Sequence, residues 1–386
     1  VLSKKTINPQ ALEVSVVQRR TPKTLSLMGA VLAVLLLGTG CETTTTTSES
    51  GGSSSSAGGN VQLISDFPEQ VVIPTYKLLV EKSNTLKTKV DAFTADANVE
   101  TLKAAQVAWT EAREPWEQSE AFAFGPAESL GYDGDLDDWP VNETDLKGVL
   151  KGAAPISAET VEGLQTTQKG FHTIELLLFG SDNNKTAADF SDREKQLVQQ
   201  LATAFDQTAN DLVTSWSEGI DGNPAYKTVL ATAGSEDNSA YPTSQSALEE
   251  IVGGIIGCLD EVGNEKIGEP LKAKTTDDLE SRFSHTSATD FKNNLIGAQN
   301  AYLGKSKAGT SGASLSAWLA EKDADLDAQI QKELQAAIDA VAAIPAPIEP
   351  KISEEAALAQ MQSAQDAVLT AFSTFEEQVL PLVESS

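Results

Sequence analysis

From Asn60 onward, apolar residues recur three and four positions apart through long windows, and stretches that alternate with period two are scarce. That spacing predicts helices over 68–93, 98–121, 157–179, 187–217, 243–261, 276–302, 313–343 and 353–382, and hence an all-α chain. Helix breakers fall between these windows: Gly125-Pro126, Gly131, Gly134 and Pro140, then Gly222, Pro224, Gly234 and Pro242, then Pro345, Pro347 and Pro350. Ser157 and Thr275 stand where N-caps belong, which puts Asp277 and Asp278 in a first turn favoured by the helix dipole. Eight helices with a long break near 218–242 predict two four-helix bundles in series, 60–235 and 236–386. A single fused bundle is the alternative.

The pattern before Asn60 is different. Lys4, Lys5, Arg19, Arg20 and Lys23 precede an apolar run from Leu25 to Leu37. Such a run suits a signal peptide and falls short of the roughly 20 residues a membrane-spanning helix needs. It ends Gly38-Thr39-Gly40-Cys41, small residues before a lone cysteine. This resembles a bacterial lipoprotein processing site, with 1–40 as leader and Cys41 acylated. Gly38 departs from the usual Leu at that position, and an ordinary secretory signal is the alternative. Residues 42–59 are almost all Gly, Ser and Thr, which predicts a flexible linker from Cys41 to residue 59 with a mean reach of about 25 Å.

Composition narrows the chemistry. Among 386 residues there are 56 Asp+Glu, 28 Lys+Arg, two His and two Cys. A three-His zinc site, a Cys₄ site and a disulfide scaffold are all excluded. A net charge of −28 would repel phosphates, so no nucleic-acid partner is expected. The surplus acid would also be repelled by an anionic membrane, leaving attachment to the lipid at Cys41. Cys258 lies in an apolar run and reads as a buried, inert thiol. No Gly-rich phosphate loop, nucleophile elbow or His-Glu-x-x-His motif occurs.

Three segments stand above this background. In Gly170-Phe171-His172-Thr173-Ile174-Glu175 the imidazole and carboxylate are three apart on an apolar helix, ~5–6 Å between Cβ atoms. That spacing suits a shared cation, as in metal-holding bundles, or a structural His–Glu hydrogen bond. In the run from Trp109 to Pro126, the positions of Trp109, Arg113, Trp116 and Glu120 share one helix face. A buried Arg113 implies an acidic partner, either in a site or in a framework ion pair. The third segment, Glu280-Ser281-Arg282-Phe283-Ser284-His285-Thr286 with Asp290, gathers hydroxyls, a charge pair and the other histidine in one predicted helical window.

Together these segments resemble the imelysin family. The resemblance rests on Trp109 to Pro126 (Trp-x-x-x-Arg-x-x-Trp-x-x-Ser-Glu-Ala-Phe-x-Phe-Gly-Pro), on Trp139-Pro140, on Gly170, His172 and Glu175, and on Glu280 to Ser284 with Asp290. It implies two four-helix bundles, a polar site near their junction, an envelope location and a link to iron acquisition. It also implies site-lining roles for Trp109, Trp116, Ser119, Ser281, Ser284 and Asp290.

Two functions are then expected to compete. The first is an anchored protein that binds a metal ion or iron complex through His172, Glu175, Glu120 and Glu280, working with iron-uptake machinery. One imidazole with several carboxylates suits iron or another divalent metal better than thiol-seeking ones. The second is a metallopeptidase with Glu175 or Glu120 as base and Arg113 or Arg282 as oxyanion stabiliser. A single motif histidine weighs against the second. A purely structural lipoprotein is the third possibility.

Overall fold

In the computed structural model, which describes residues 54–386 and their side chains from Asn60, the described residues form helices joined by turns. Among the described residues the only extended pairing is a single bridge between Lys305 and Ser311. The expectations for 1–40, for Cys41 and for the linker up to residue 53 lie outside the described residues. The last six residues assigned to the linker are helical instead: the first helix runs Ser54–Phe67, and Leu63, Ile64 and Phe67 bury its end.

Two rings of four helices follow. Ile73–Ala95 packs on Val99–Glu117 and on Asp192–Ser217, and Gly170–Phe179 closes the ring against the last two. In the second ring Ser244–Asp260 packs on Ser287–Leu303 and Glu355–Thr374, and Ala324–Ala342 closes it. Caps set the starts. Asn98 Oδ1 accepts the N–H groups of Glu100 and Thr101, both at 3.0 Å, which turns the chain within three residues of Ala95. Ser191 and Glu194 form a capping box that starts Asp192–Ser217.

The rings meet along a tight seam. Val99–Glu117 and the 3-10 turn Glu120–Phe122 lie against Ser287–Leu303, and the same turn touches Ser244–Asp260. Glycine makes this approach possible: a Cβ on Gly297 would stand 2.4 Å from Gln118 O, and one on Gly254 the same distance from Ala121 O. Residues 57–386 accordingly cluster as one unit.

Several predicted windows need correction. The 276–302 helix starts only at Ser287, and 276–286 is a chain of turns. Its hydroxyls take the backbone away from helical pairing: Ser287 Oγ accepts the Ser281 N–H at 3.0 Å, and His285 sits at φ +63°. Thr275 therefore caps no helix. The 157–179 window breaks into Ala158–Glu162, a 3-10 turn Thr166–Gln168 and Gly170–Phe179. The 98–121 helix stops at Glu117, two residues after Pro115, so Glu120 leaves its predicted face. The 313–343 window divides at Asp323, whose carboxylate accepts the Leu326 N–H at 2.9 Å. Among the described residues no helix is long and apolar enough to cross a membrane.

Candidate functional site

The seam between the rings is polar inside. Gly170 is the reason an acid reaches His172. It has φ +69°, and a Cβ there would stand 2.3 Å from Leu136 O. Its absence lets the Tyr132–Asp137 helix lie over the start of Gly170–Phe179 and sets Asp137 against the imidazole. His172 Nε2 lies 3.2 Å from Asp137 Oδ1 with no aligned hydrogen-bond partner. On the other side, Nδ1 lies 3.2 Å from Glu175 Oε2. Glu175 Oε1 accepts the N–H groups of Ser284 at 2.7 Å and Phe283 at 3.1 Å. Glu175 thus orients the imidazole and ties its helix to the 280–286 turns, leaving Nε2 as the nitrogen that faces the cluster.

Arg113 forms the centre. Its guanidinium pairs with Glu117 and Asp137, reaches Glu280 Oε1 at 3.1 Å and lies 4.0 Å from Asp290 Oδ1. It also stacks 4.8 Å from the Phe171 ring. Lys266 Nζ lies 2.8 Å from Glu280 Oε1, 3.0 Å from Glu120 Oε1 and 3.6 Å from Glu117 Oε2. Trp116 Nε1–H donates to Asp137 Oδ2 at 2.6 Å, and Asn294 Nδ2–H donates to Glu117 Oε2 at 2.8 Å. Arg113, Glu117, His172, Glu175 and Asp290 are each 99 % or more buried. Six carboxylates therefore share a largely buried seam with two permanent cations and one imidazole.

That imbalance shapes the protonation states. Burial pushes the Glu117 carboxyl up to about 7, against the pull of Arg113, and lifts Glu120 and Asp290 well above the usual range. Burial also opposes ionisation of Asp137, but Arg113 and His172 outweigh it and hold that carboxyl at about 2. For His172 burial disfavours the charged ring, yet Asp137 and Glu175 raise its pKa to about 9. Glu280 stays below its ordinary value because Lys266 and Arg113 overcome its burial.

Most of the residues singled out from sequence meet here: His172, Glu175, Arg113, Trp116, Glu120, Glu280 and Asp290. Ser284 contributes its N–H, while its hydroxyl turns to Thr286 at 2.9 Å. Ser281 is fully buried beside them, and Ser119 Oγ–H donates to Trp116 O at 2.6 Å, bracing the turn. Trp109 stands one layer back, its Nε1–H on Phe171 O at 3.0 Å. Arg282 does not join: it faces outward, 3.2 Å from Glu143 and 3.5 Å from Asp277. Its place in a turn rather than a helix aims it there, so it stabilises no charge in the seam. Cys258 is buried, as expected, with Sγ 3.6 Å from Asn294 O.

Three members were not anticipated. Glu117 follows Arg113 by four, and that i, i+4 spacing was the available signal. Lys266 follows Val262 by four on an apolar face, where a lysine is out of place. Asp137 sits in an acidic break with no periodic signal at all.

The donor set can hold a metal. One ligand atom each from Asp137, His172 and Glu280 lies within 4.8 Å of the others, and the same holds for Glu117, Glu120, Asp137 and Glu280. Glu280 Oε2 is buried with no hydrogen-bond partner, and His172 Nε2 faces only the Asp137 carboxylate, 3.2 Å away, so both atoms are available as ligands. One imidazole with carboxylate oxygens suits a borderline-to-hard cation such as ferrous iron.

A double four-helix protein with a buried acidic seam and one inward histidine is the class that fold and site define. Within that class, the chain belongs to the imelysin family, whose sequence profile (imelysin, peptidase M75) matches residues 72–375. Iron-regulated protein A of Synechococcus elongatus is 38 % identical over 323 residues, 84 % of this chain and 86 % of that protein. A solved structure from Parabacteroides distasonis, assigned as an iron-regulated protein A precursor, superposes with a TM-score of 0.72 at 25 % identity, covering 83 % of this chain and 95 % of that one. An imelysin-like protein from Psychrobacter arcticus shares the fold, with a TM-score of 0.68 at 16 % identity over 85 % and 96 % of the two chains.

Proposed function

We propose that this chain is an exported, lipid-anchored protein that holds an iron ion in the seam between its bundles and serves iron acquisition. The observation that carries this reading is the convergence of Asp137, His172 and Glu280, with Glu280 Oε2 buried and without a hydrogen-bond partner. The resemblance to iron-regulated protein A supports iron as the ion. Asp137, His172 and Glu280 would hold it, Glu175 would fix the imidazole, and Arg113 would keep the carboxylates in place. A bound ion would take the place of protons held in the seam, among them the one on Nε2.

Attachment to the membrane through Cys41 and delivery to iron-uptake machinery complete the proposal. The peptidase reading draws on the family's name and on Glu120, the most exposed of the six acids. The depth of His172 and Glu175 supports retention of an ion over turnover of a polypeptide. Full-length protein loaded anaerobically with ferrous iron is expected to retain about one iron per chain by metal analysis. His172→Ala with Glu175→Ala is expected to retain none. Equal retention in both would overturn the proposal, and chelator-sensitive cleavage of an unfolded protein by wild type alone would favour the peptidase.

A further inference from the structure

Lys266 occupies a position that chemistry rarely gives a lysine. It is 8 % exposed, on the face that also buries Val262 and Ile267. It is the last residue but one of a π-helical stretch, Glu261–Ile267, that interrupts the run from Ser244 to Ala273. The stretch is pinned from outside: Gln365 Nε2–H donates to Gly263 O at 3.0 Å, and a Cβ on Gly263 would stand 2.6 Å from Leu369. The backbone is thereby fixed so that the ammonium projects into the seam. There it meets three carboxylates, Glu280, Glu120 and Glu117, within 3.6 Å. A fourth, Glu261, stands 4.0 Å away on the outer side and is partly exposed.

Those three acids with Asp137 are also the larger of the two groups whose ligand atoms converge, and the two groups share Asp137 and Glu280. Glu280 is more than nine-tenths buried and keeps one oxygen, Oε2, without a partner, although its other oxygen already accepts from both Lys266 and Arg113. The seam thus has the outline of two adjacent cation positions with shared carboxylates. One faces His172, and the other is already filled by an amine.

We propose that Lys266 is a tethered cation: its ammonium fills an oxygen-only subsite of Glu117, Glu120 and Glu280, limiting the seam to one external cation, and its removal opens a second divalent-cation subsite. The inference rests on the reading that the His172 position holds an external cation, but the two fail separately. Amine nitrogen and a divalent metal ask for the same acceptors, and three carboxylates with no nitrogen or sulfur select a hard cation such as Mn²⁺. Removing the lysine leaves Glu117, Glu120 and Glu280 short of one positive charge in a buried place, which protons supply when no metal is present and a divalent cation supplies when it displaces them.

The test counts Mn²⁺ bound per full-length chain by equilibrium dialysis. Wild type is expected to bind about one, Lys266→Met about two, and Lys266→Met with Glu120→Gln about one again. In the two-ion state, spin coupling between the ions is expected in the paramagnetic resonance spectrum, because they share carboxylates. A folded Lys266→Met that still binds one ion overturns the inference and leaves the His172 reading intact. No ion in wild type with one in Lys266→Met sustains the tethered cation and removes the His172 reading. No ion in either removes both. If Lys266→Met is unfolded without metal, recovery of its helical circular dichroism in millimolar Mn²⁺ supports the inference, and no recovery overturns it.

Discussion

Helices Val99–Glu117 and Glu355–Thr374 each lie at the heart of one bundle and bury one face, yet those faces differ. The second is closed by Ala357, Met361, Ala364, Val368 and Ala371. The first buries Trp109 and Trp116 and, beside them, Arg113 and Glu117. Small apolar side chains are enough to pack a helix here, so packing does not require the charges of the first. Apolar substitutes for a buried ion pair are often as stable or more so. The cost of keeping Arg113, Glu117 and their partners dry points to a task other than holding the bundle together, and that task is confined to the seam.

The comparison is broken most forcefully at Arg113. Arg113→Met is expected to destabilise by about 3–5 kcal/mol in urea unfolding, because Glu117, Asp137, Glu280 and Asp290 then lose their shared cation. A loss under 1 kcal/mol would mean the carboxylates are simply protonated and the guanidinium is dispensable.

Next comes pH. The His172 pKa is raised from 6.5 to about 9, so its stabilising contribution is complete below pH 6.5 and is lost as pH rises through about 9. Its size is on the order of 3 kcal/mol. Glu117, raised from 4.5 to about 7, acts in the same direction between those values, since the folded form holds the proton longer. Asp137, lowered from 3.8 to about 2, contributes above pH 3.8 and is lost as pH falls through about 2. Metal-free protein is therefore expected to melt highest near pH 4–5 and progressively lower towards pH 9. His172→Gln should flatten the part above pH 6.5, and an unchanged slope would detach the imidazole from Asp137.

In the second bundle, Met361→Ala is expected to cost about 2–3 kcal/mol through the cavity it leaves, with iron retention unchanged. A parallel loss of iron would show that the bundles are not energetically distinct. The smallest effect is expected from Trp116→Phe, which keeps the ring in the core but removes the N–H to Asp137. A loss of about 1–2 kcal/mol, together with weaker iron retention, should follow. Stability loss without weaker retention would place Asp137 outside the ion site.

How much of this was legible in the sequence depended on how local each cause is. The helices came from apolar spacing, and the inward His172–Glu175 pair from a three-residue interval on an apolar helix. The 280–286 segment misled because Leu279 and Phe283 stand four apart, as on a helix, while the Ser287 hydroxyl accepts the Ser281 N–H and closes turns instead. Asp137 was out of reach because its position depends on a carbonyl passing over Gly170, a contact between segments 34 positions apart. Lys266 could have been found: it continues the Cys258, Val262 spacing, but a lysine at an apolar position is easily read as the helix turning to solvent. Arg282 was placed in the site by the same helical assumption that the turns undo.

The central claim is that one ion sits against His172 Nε2 between Asp137 and Glu280. Anomalous diffraction at the iron edge from crystals of the iron-loaded full-length protein tests it most directly. The account predicts a single strong peak within coordination distance of those three side chains, lost in His172→Ala. A peak elsewhere on the chain, or none in protein that retains iron in solution, would contradict it.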